Sequence, residues 1–206
     1  MHKNCTVNMH RNCKVNSKQF KESKLAHHLL DDLKGIEIGG SFHNPFCLNT
    51  INVDYTNEMT VFKEIEKNIT GNAVNIDVVA PGDKLPFPNE SQDFVISSHV
   101  IEHFYDPIKA IQEWLRVVRK GGYVYMIIPH RDRTFDKDRD RTRLSELIDR
   151  HEKSNQTNSN DAHSHQTFWT TEDFLELCKH FNWKVFAVQD VDDKVENGFT
   201  IVIQKN

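Results

Sequence analysis

The chain has 206 residues, a length that suits one domain with an appended segment and would crowd two. Lys and Arg total 26 against 30 Asp and Glu, a formal charge of -4, which argues against a general nucleic-acid binder with its marked basic excess. Hydrophobic residues at 37% and aromatics at 10% suffice for a packed core and exclude a disordered chain.

The opening MHKNCTVNMHRNCKVNSKQF has no apolar signal core, and no run approaches the roughly 18 apolar residues of a membrane span. Cys5, Cys13, Cys47 and Cys178 form no CxxC pair and read as free thiols of a reducing compartment. A cytoplasmic protein is expected, with no nucleic acid among its partners and no membrane span. Residues 1–22 read as a polar arm, in which Cys5, His10 and Cys13 lack the fourth ligand of a zinc site. Residues 23–206 read as one domain.

Leu25 to Leu33 predicts a short helix, followed by a strand at Gly35-Ile36-Glu37-Ile38 that stops at Gly39-Gly40. Ile51 to Asp54 is a second strand ending on an acid, and Met59 to Asn68 a helix carrying Val61, Phe62 and Ile65. Ala73 to Ala80 and Asp93 to Ser97 read as the third and fourth strands. Ile108, Ile111, Trp114, Leu115 and Val118 recur at helical spacing over Pro107 to Arg119. A turn at Lys120-Gly121-Gly122 then leads into the most apolar strand, Tyr123 to Ile128. After a charged, polar stretch from Arg131 to Gln166, Thr170 or Thr171 caps a helix with Phe174, Leu175 and Leu177 inward. Trp183 to Val191 and Gly198 to Gln204 close the chain as two strands.

Alternating strands and helices with short links predict a doubly wound, mostly parallel α/β sheet of seven strands, with helices on both faces and an antiparallel C-terminal strand. Ligands of such sheets bind beyond the carboxyl ends of the strands, where strand order reverses. The residues just after each strand therefore carry the chemistry. Residues 131–166 break the rhythm and read as an inserted lid on the substrate side.

The order of the motifs beyond the glycine turn is more specific than the turn itself. It runs through Asp54, Asp83-Lys84-Leu85-Pro86-Phe87, Asp93-Phe94-Val95, His99-Val100-Ile101-Glu102-His103, Leu115-Arg116-Val117-Val118-Arg119-Lys120-Gly121-Gly122 and Pro129. This succession resembles the class I S-adenosylmethionine-dependent methyltransferases, over about Gly35 to Ile128. Thr134-Phe135-Asp136 with Arg139, and His163-Ser164-His165 with Trp169, are similar to segments of a bacterial subgroup of that class.

The resemblance implies a Rossmann-like fold, the cofactor S-adenosyl-L-methionine, and a site at the sheet edge. Backbone at Gly39, Gly40 and Ser41 would approach the methionyl part, with Glu37 acting on its ammonium. Asp54 would accept the ribose hydroxyls and Tyr55 lie against the adenine. Asp83 takes the place of an acid that the family carries two residues earlier, where this chain has Pro81. Ser98 and His99 complete the cofactor side. Phe42-His43 stand where a third glycine is usual, so the loop is expected to run differently.

The acceptor is expected to be a small polar or glycan-like molecule methylated on a hydroxyl. Amine or carboxyl methylation, and a binding module without catalysis, remain open alternatives. His99, His103 and His130 near strand ends, and His163 and His165 in the lid, can converge on such an acceptor. His103 is expected to act as general base with Glu102 orienting its ring, and His130 as a further catalytic group. No metal is expected. In the ubiquinone-biosynthesis O-methyltransferases, which this stretch resembles, an E-x-x-E-H segment at the same place holds a divalent metal. Here His99 replaces the first acid and leaves a softer ligand set that suits magnesium less. His99-x-x-Glu102-His103 also fits an H-x-x-E-H metallopeptidase motif, which needs a helix where this chain ends a strand. An NAD-binding enzyme would prefer the full G-x-G-x-x-G, absent here.

Overall fold

The computed structural model describes residues 20–153 and 160–206. The Cys5, His10 and Cys13 reading and most of the expected arm lie outside them. In chain order the elements are α1 (Lys24–Leu30), β1 (Gly35–Ile38), β2 (Thr50–Asp54), α2 (Val61–Thr70), β3 (Val78–Val79) and β4 (Gln92–Ser98). They continue with a 3-10 turn (Ile101–His103), α3 (Pro107–Val117), β5 (Val118–Pro129), α4 (Leu144–Glu152), α5 (Thr171–His180), β6 (Lys184–Gln189) and β7 (Gly198–Gln204). Two more 3-10 turns, Arg131–Arg133 and Phe135–Asp138, precede α4.

The seven strands form one sheet in the order β3-β2-β1-β4-β5-β7-β6. β7 runs antiparallel to β5 and β6, and the other pairings are parallel. This is the expected α/β architecture. Successive side chains of a strand point to opposite faces, and the core divides accordingly. Phe94, Ile96, Tyr125, Ile127 and Val202 pack with Ala26 and Leu30 of α1 on one face. Val95, Val124, Met126, Ile128 and Ile201 pack on the other with Trp114, Leu147, Trp169 and Phe174. Leu147 ties α4, inside the 131–166 segment, into that core.

Local chemistry sets the helix starts. Asp106 caps α3 by accepting the Lys109 N–H, with Pro107 in the first turn. Thr170 and Asp173 form a reciprocal capping box at α5.

Three sequence expectations change. The third strand shrinks to Val78–Val79, because side chains take over the ladder below it. The Asn52 N–H donates to the Asp77 carboxylate at 2.9 Å, and Asn52 Nδ2 donates to Asn75 O at 3.0 Å. The Lys120–Gly122 turn is instead an irregularity within β5, where the pairing with β4 shifts between Gln92 and Phe94. Cys178 is free, but Cys47 is disulfide-bonded. Spacing along the chain does not tell which thiols a fold pairs, so the thiol argument for a reducing compartment falls. Among the described residues no helix is long and apolar enough to cross a membrane.

Helix α2 inverts the usual arrangement. Lys63 and Glu66 are buried, while Val61, Phe62, Ile65 and Ile69 are exposed. Lys63 Nζ donates to Thr56 O at 2.5 Å and Glu58 O at 3.3 Å. The Glu66 carboxylate accepts the Phe42 N–H. The helix thus anchors the loops at the sheet edge by its charged face.

Candidate functional site

Strand order reverses at β1, which lies between β2 and β4. Ile38 pairs with Val53 and Ser97, so the loops after β1, β2 and β4 open side by side at the carboxyl edge.

The turn after β1 is built around two glycines. Gly39 has φ +66°, a conformation costly for residues with a Cβ. A Cβ on Gly40 would lie 2.8 Å from the Glu37 carboxyl carbon and 2.9 Å from Asn52 Oδ1. The Gly40 N–H donates to that same Asn52 oxygen at 3.1 Å. Burial raises the Glu37 carboxyl to about 7, offset in part by the Thr50 hydroxyl, which donates to it at 3.2 Å. Ser41 comes next, and the Glu66 bond to the Phe42 N–H steers the loop where a third glycine would otherwise turn it.

Asp54 ends β2 with its carboxylate 3.7 Å from Lys63 Nζ. Tyr55 beside it is 49% exposed. Asp83, after β3, is paired with Lys109 Nζ at 2.9 Å. The Ser98 hydroxyl accepts from Asn44 Nδ2 at 3.3 Å. An open backbone turn, an acid at the second strand's end and an exposed aromatic next to it fit a ligand that joins an amino acid, a ribose and a base. Asp83 fits less well, since its charge is already matched by Lys109.

A second group of side chains stands at the end of β4. The chain turns at His99, where φ is +54°, and the His99 N–H still bonds Ile127 O at 2.9 Å. The 3-10 turn then presents Glu102, which is fully buried with neither carboxylate oxygen hydrogen-bonded to any other residue. Burial raises Glu102 to about 8, against the pull of its own N–H and with added push from the Asp136 carboxylate. Three imidazoles surround its Oε1: His103 Nε2 at 3.7 Å, His165 Nε2 at 3.8 Å and His99 Nδ1 at 4.0 Å. Burial lowers His99 to about 4, and the His165 and His103 rings push the same way.

Main-chain bonds assemble this group. Gln166 N–H donates to Glu102 O at 2.8 Å, and Asp161 N–H to His103 O at 3.2 Å. His103 Nδ1 donates to Ser164 O at 2.9 Å, and His165 Nδ1 donates to Asp136 Oδ2 at 2.6 Å. The loop before α5 is therefore hung on the 3-10 turn, with His165 facing Glu102.

The expected residues thus divide. Glu37, Gly39, Gly40, Ser41, Asp54, Tyr55, Asp83, Ser98 and His99 all lie at the carboxyl edge. Glu102 and His103 are neighbours there, but Glu102 does not orient the His103 ring. At 3.7 Å it is beyond hydrogen-bond reach, and Ser164 O holds the ring instead. His130 does not join the group. Its Nδ1 accepts the Asp132 N–H at 3.2 Å and its ring meets Phe199 edge-on, so it serves as a cap. His163 stacks on Phe62 of α2. Asp136 as the partner of His165 escapes a reading of the sequence, as do Asn52, Lys63 and Glu66. The Phe135-Asp136 and His163-Ser164-His165 segments are visible there, but their 29-residue separation hides the contact.

Residues 39–126 match the family described as "Methyltransferase domain". An uncharacterized protein of Methanocaldococcus jannaschii is 36% identical over 102 residues, 48% of this chain and 46% of that protein. A probable S-adenosylmethionine-dependent methyltransferase of Mycolicibacterium smegmatis is 40% identical over 57 residues, 28% of this chain and 22% of its own length. The matched part therefore spans less than half of either curated relative. A solved S-adenosylmethionine-dependent methyltransferase of Thermotoga maritima shares the fold, with a TM-score of 0.54 at 20% identity, over 88% of this chain and 86% of the other. The family match runs from the glycine turn after β1 through the β4 edge into β5, and over these residues the chain is similar to S-adenosylmethionine-dependent methyltransferases.

Proposed function

We propose that the chain transfers a methyl group from S-adenosyl-L-methionine to a hydroxyl of a small polar or glycan-like acceptor. The observation that carries this reading is the meeting of two unlike groups at one sheet edge. The glycine turn with Asp54 lies on one side, and the Glu102 cluster of imidazoles on the other. The cofactor supplies an electrophilic methyl group when bound.

The chain's own residues supply position and proton handling. The Gly39–Ser41 backbone receives the methionyl end, and Glu37 favours its ammonium. Asp54 accepts the ribose hydroxyls by charge-assisted hydrogen bonds, and Tyr55 flanks the base. Asp83 with Lys109, and Ser98 with His99, border the same crevice. On the acceptor side the Glu102 cluster takes up the hydroxyl proton, so that the oxygen attacks as the stronger nucleophile. The 131–166 segment contributes Asp136 and His165 to that side, in keeping with an acceptor-side role. Holding acceptor and methyl group in line accounts for much of the rate in such a displacement.

Calorimetry with S-adenosylmethionine and its demethylated product, followed by a methyl-release screen over sugar, amine and carboxylate acceptors, tests the proposal. Binding with turnover on hydroxyl acceptors is expected. Turnover on amines or carboxylates alone moves the acceptor class. Binding without turnover on any acceptor supports a binding module.

A further inference from the structure

The cluster at the end of β4 has a feature that proton transfer leaves unexplained. Glu102, His103 and His165 each offer one ligand atom, and these atoms lie within 4.8 Å of one another. Both imidazoles have their tautomers fixed from behind. His103 Nδ1 donates to Ser164 O, and His165 Nδ1 donates to the Asp136 carboxylate. Each therefore carries its proton on Nδ1 and turns the lone pair of Nε2 toward Glu102 Oε1, at 3.7 and 3.8 Å. Both oxygens of Glu102 are buried and take no hydrogen bond from any other residue.

Three acceptors thus converge on one point with no donor between them. Buried polar atoms without partners are costly, and both Glu102 oxygens are such atoms. A proton on Glu102 would serve one ring nitrogen at most, and both nitrogens stand too far for a hydrogen bond. A cation at the centre satisfies all three at once. Ligand atoms around a tetrahedral zinc ion sit roughly 3.4 Å apart, given bonds of about 2.0–2.2 Å, so the observed spacing closes with a small inward movement. The Asp136–His165 pair is the carboxylate–imidazole arrangement that fixes metal-ligating histidines.

We propose that Glu102, His103 and His165 bind a divalent transition-metal ion of the zinc class. Two imidazole nitrogens and one carboxylate oxygen favour such an ion over magnesium or calcium. Three protein ligands leave a position for a further donor, and His99 Nδ1 lies 4.0 Å from the shared oxygen. His103 is then a ligand rather than a general base. A bound ion would lower the proton affinity of the acceptor hydroxyl, and the proton would then leave to solvent in place of uptake by the cluster. This role rests on the acceptor-side reading above, whereas occupancy rests on the three side chains alone.

The test uses the full chain stripped with EDTA and then titrated calorimetrically with zinc chloride, with S-adenosylmethionine binding measured on the same samples. One equivalent of zinc should bind. His165→Ala should lower its affinity by about 100-fold or more, and Asp136→Asn by roughly 10–100-fold, with cofactor affinity unchanged in both. If His165→Ala fails to fold by circular dichroism, His165→Asn is read in its place. Absence of stoichiometric zinc binding, or zinc affinity indifferent to both His165 and Asp136, overturns the inference. Retained cofactor binding in that case leaves the proposed function standing, whereas loss of cofactor binding by the unmodified chain defeats the function and not the metal site.

Discussion

His165 Nδ1 donates to Asp136 Oδ2 at 2.6 Å, joining a loop before α5 to a 3-10 turn after β5. Both residues are largely buried, so the bond fixes the ring as well as the chain. Asp136→Ala would leave the His165 N–H without its acceptor. The expected loss is about 1–3 kcal/mol of folding stability, read from urea unfolding. An unchanged unfolding midpoint would mean that the loop is held by its main-chain bonds alone.

Asp54 stands at the end of β2 with Lys63 Nζ 3.7 Å away. Asp54→Ala should weaken S-adenosylmethionine binding by about 1.5–3 kcal/mol, through the lost charge-assisted bonds to the ribose. Calorimetry checks this directly, and an unchanged dissociation constant would remove Asp54 from the cofactor side.

Gly40 and Gly71 make a matched pair of substitutions. A Cβ on Gly40 meets the Glu37 carboxyl at 2.8 Å, whereas one on Gly71 meets nothing within 4 Å. Gly71→Ala should cost about 1 kcal/mol, from its φ of +83°, and leave cofactor binding intact. Gly40→Ala should weaken that binding, because the added Cβ displaces the Glu37 carboxyl and the Asn52 amide that back the turn. Equal effects of the two substitutions on cofactor affinity would argue against the turn as the binding element.

Glu37 gives a pH dependence with a definite sign. Burial raises its carboxyl from 4.5 to about 7, so the folded protein holds a proton that the unfolded chain has lost between those values. The associated stability is full below pH 4.5 and is lost as pH rises toward about 7. A cofactor ammonium favours the ionised carboxylate, so S-adenosylmethionine affinity should rise over that same interval with release of a proton. Calorimetry in buffers of different ionisation enthalpy measures the proton, and Glu37→Gln should abolish it. A proton count that Glu37→Gln leaves unchanged would move the ammonium elsewhere.

Much of this domain is legible from the sequence, because its strands announce themselves locally. Ile36 and Ile38, Val95 and Ile96, and the apolar run from Tyr123 to Ile128 are short apolar stretches between turn residues, and each becomes a sheet strand. The edge strand β3 is less legible, since Asn75 and Asp77 hold the chain by side-chain bonds that no periodicity encodes. Helix α2 misleads for a related reason. Its apolar residues suggest an inward face, yet the loop carbonyls of Thr56 and Glu58 draw Lys63 inside instead. At the site, Glu102 and His103 are legible because they come directly after a strand. Asp136 is not, because its partner arrives from a separate loop whose path depends on main-chain bonds to Glu102 and His103.

Those bonds have a consequence for how the protein can change over time. The position of His165 is set by the turn it hangs from, through Gln166 N–H to Glu102 O and Asp161 N–H to His103 O. It does not depend on the route the chain takes from the end of α4. A histidine held in this way keeps its register so long as those two main-chain bonds form. Backbone attachment is also indifferent to which side chains the loop carries, apart from the few that reach the cluster. On the proposed function, the edge facing the acceptor can thus change toward new substrates while the imidazole–carboxylate group beneath it stays in place.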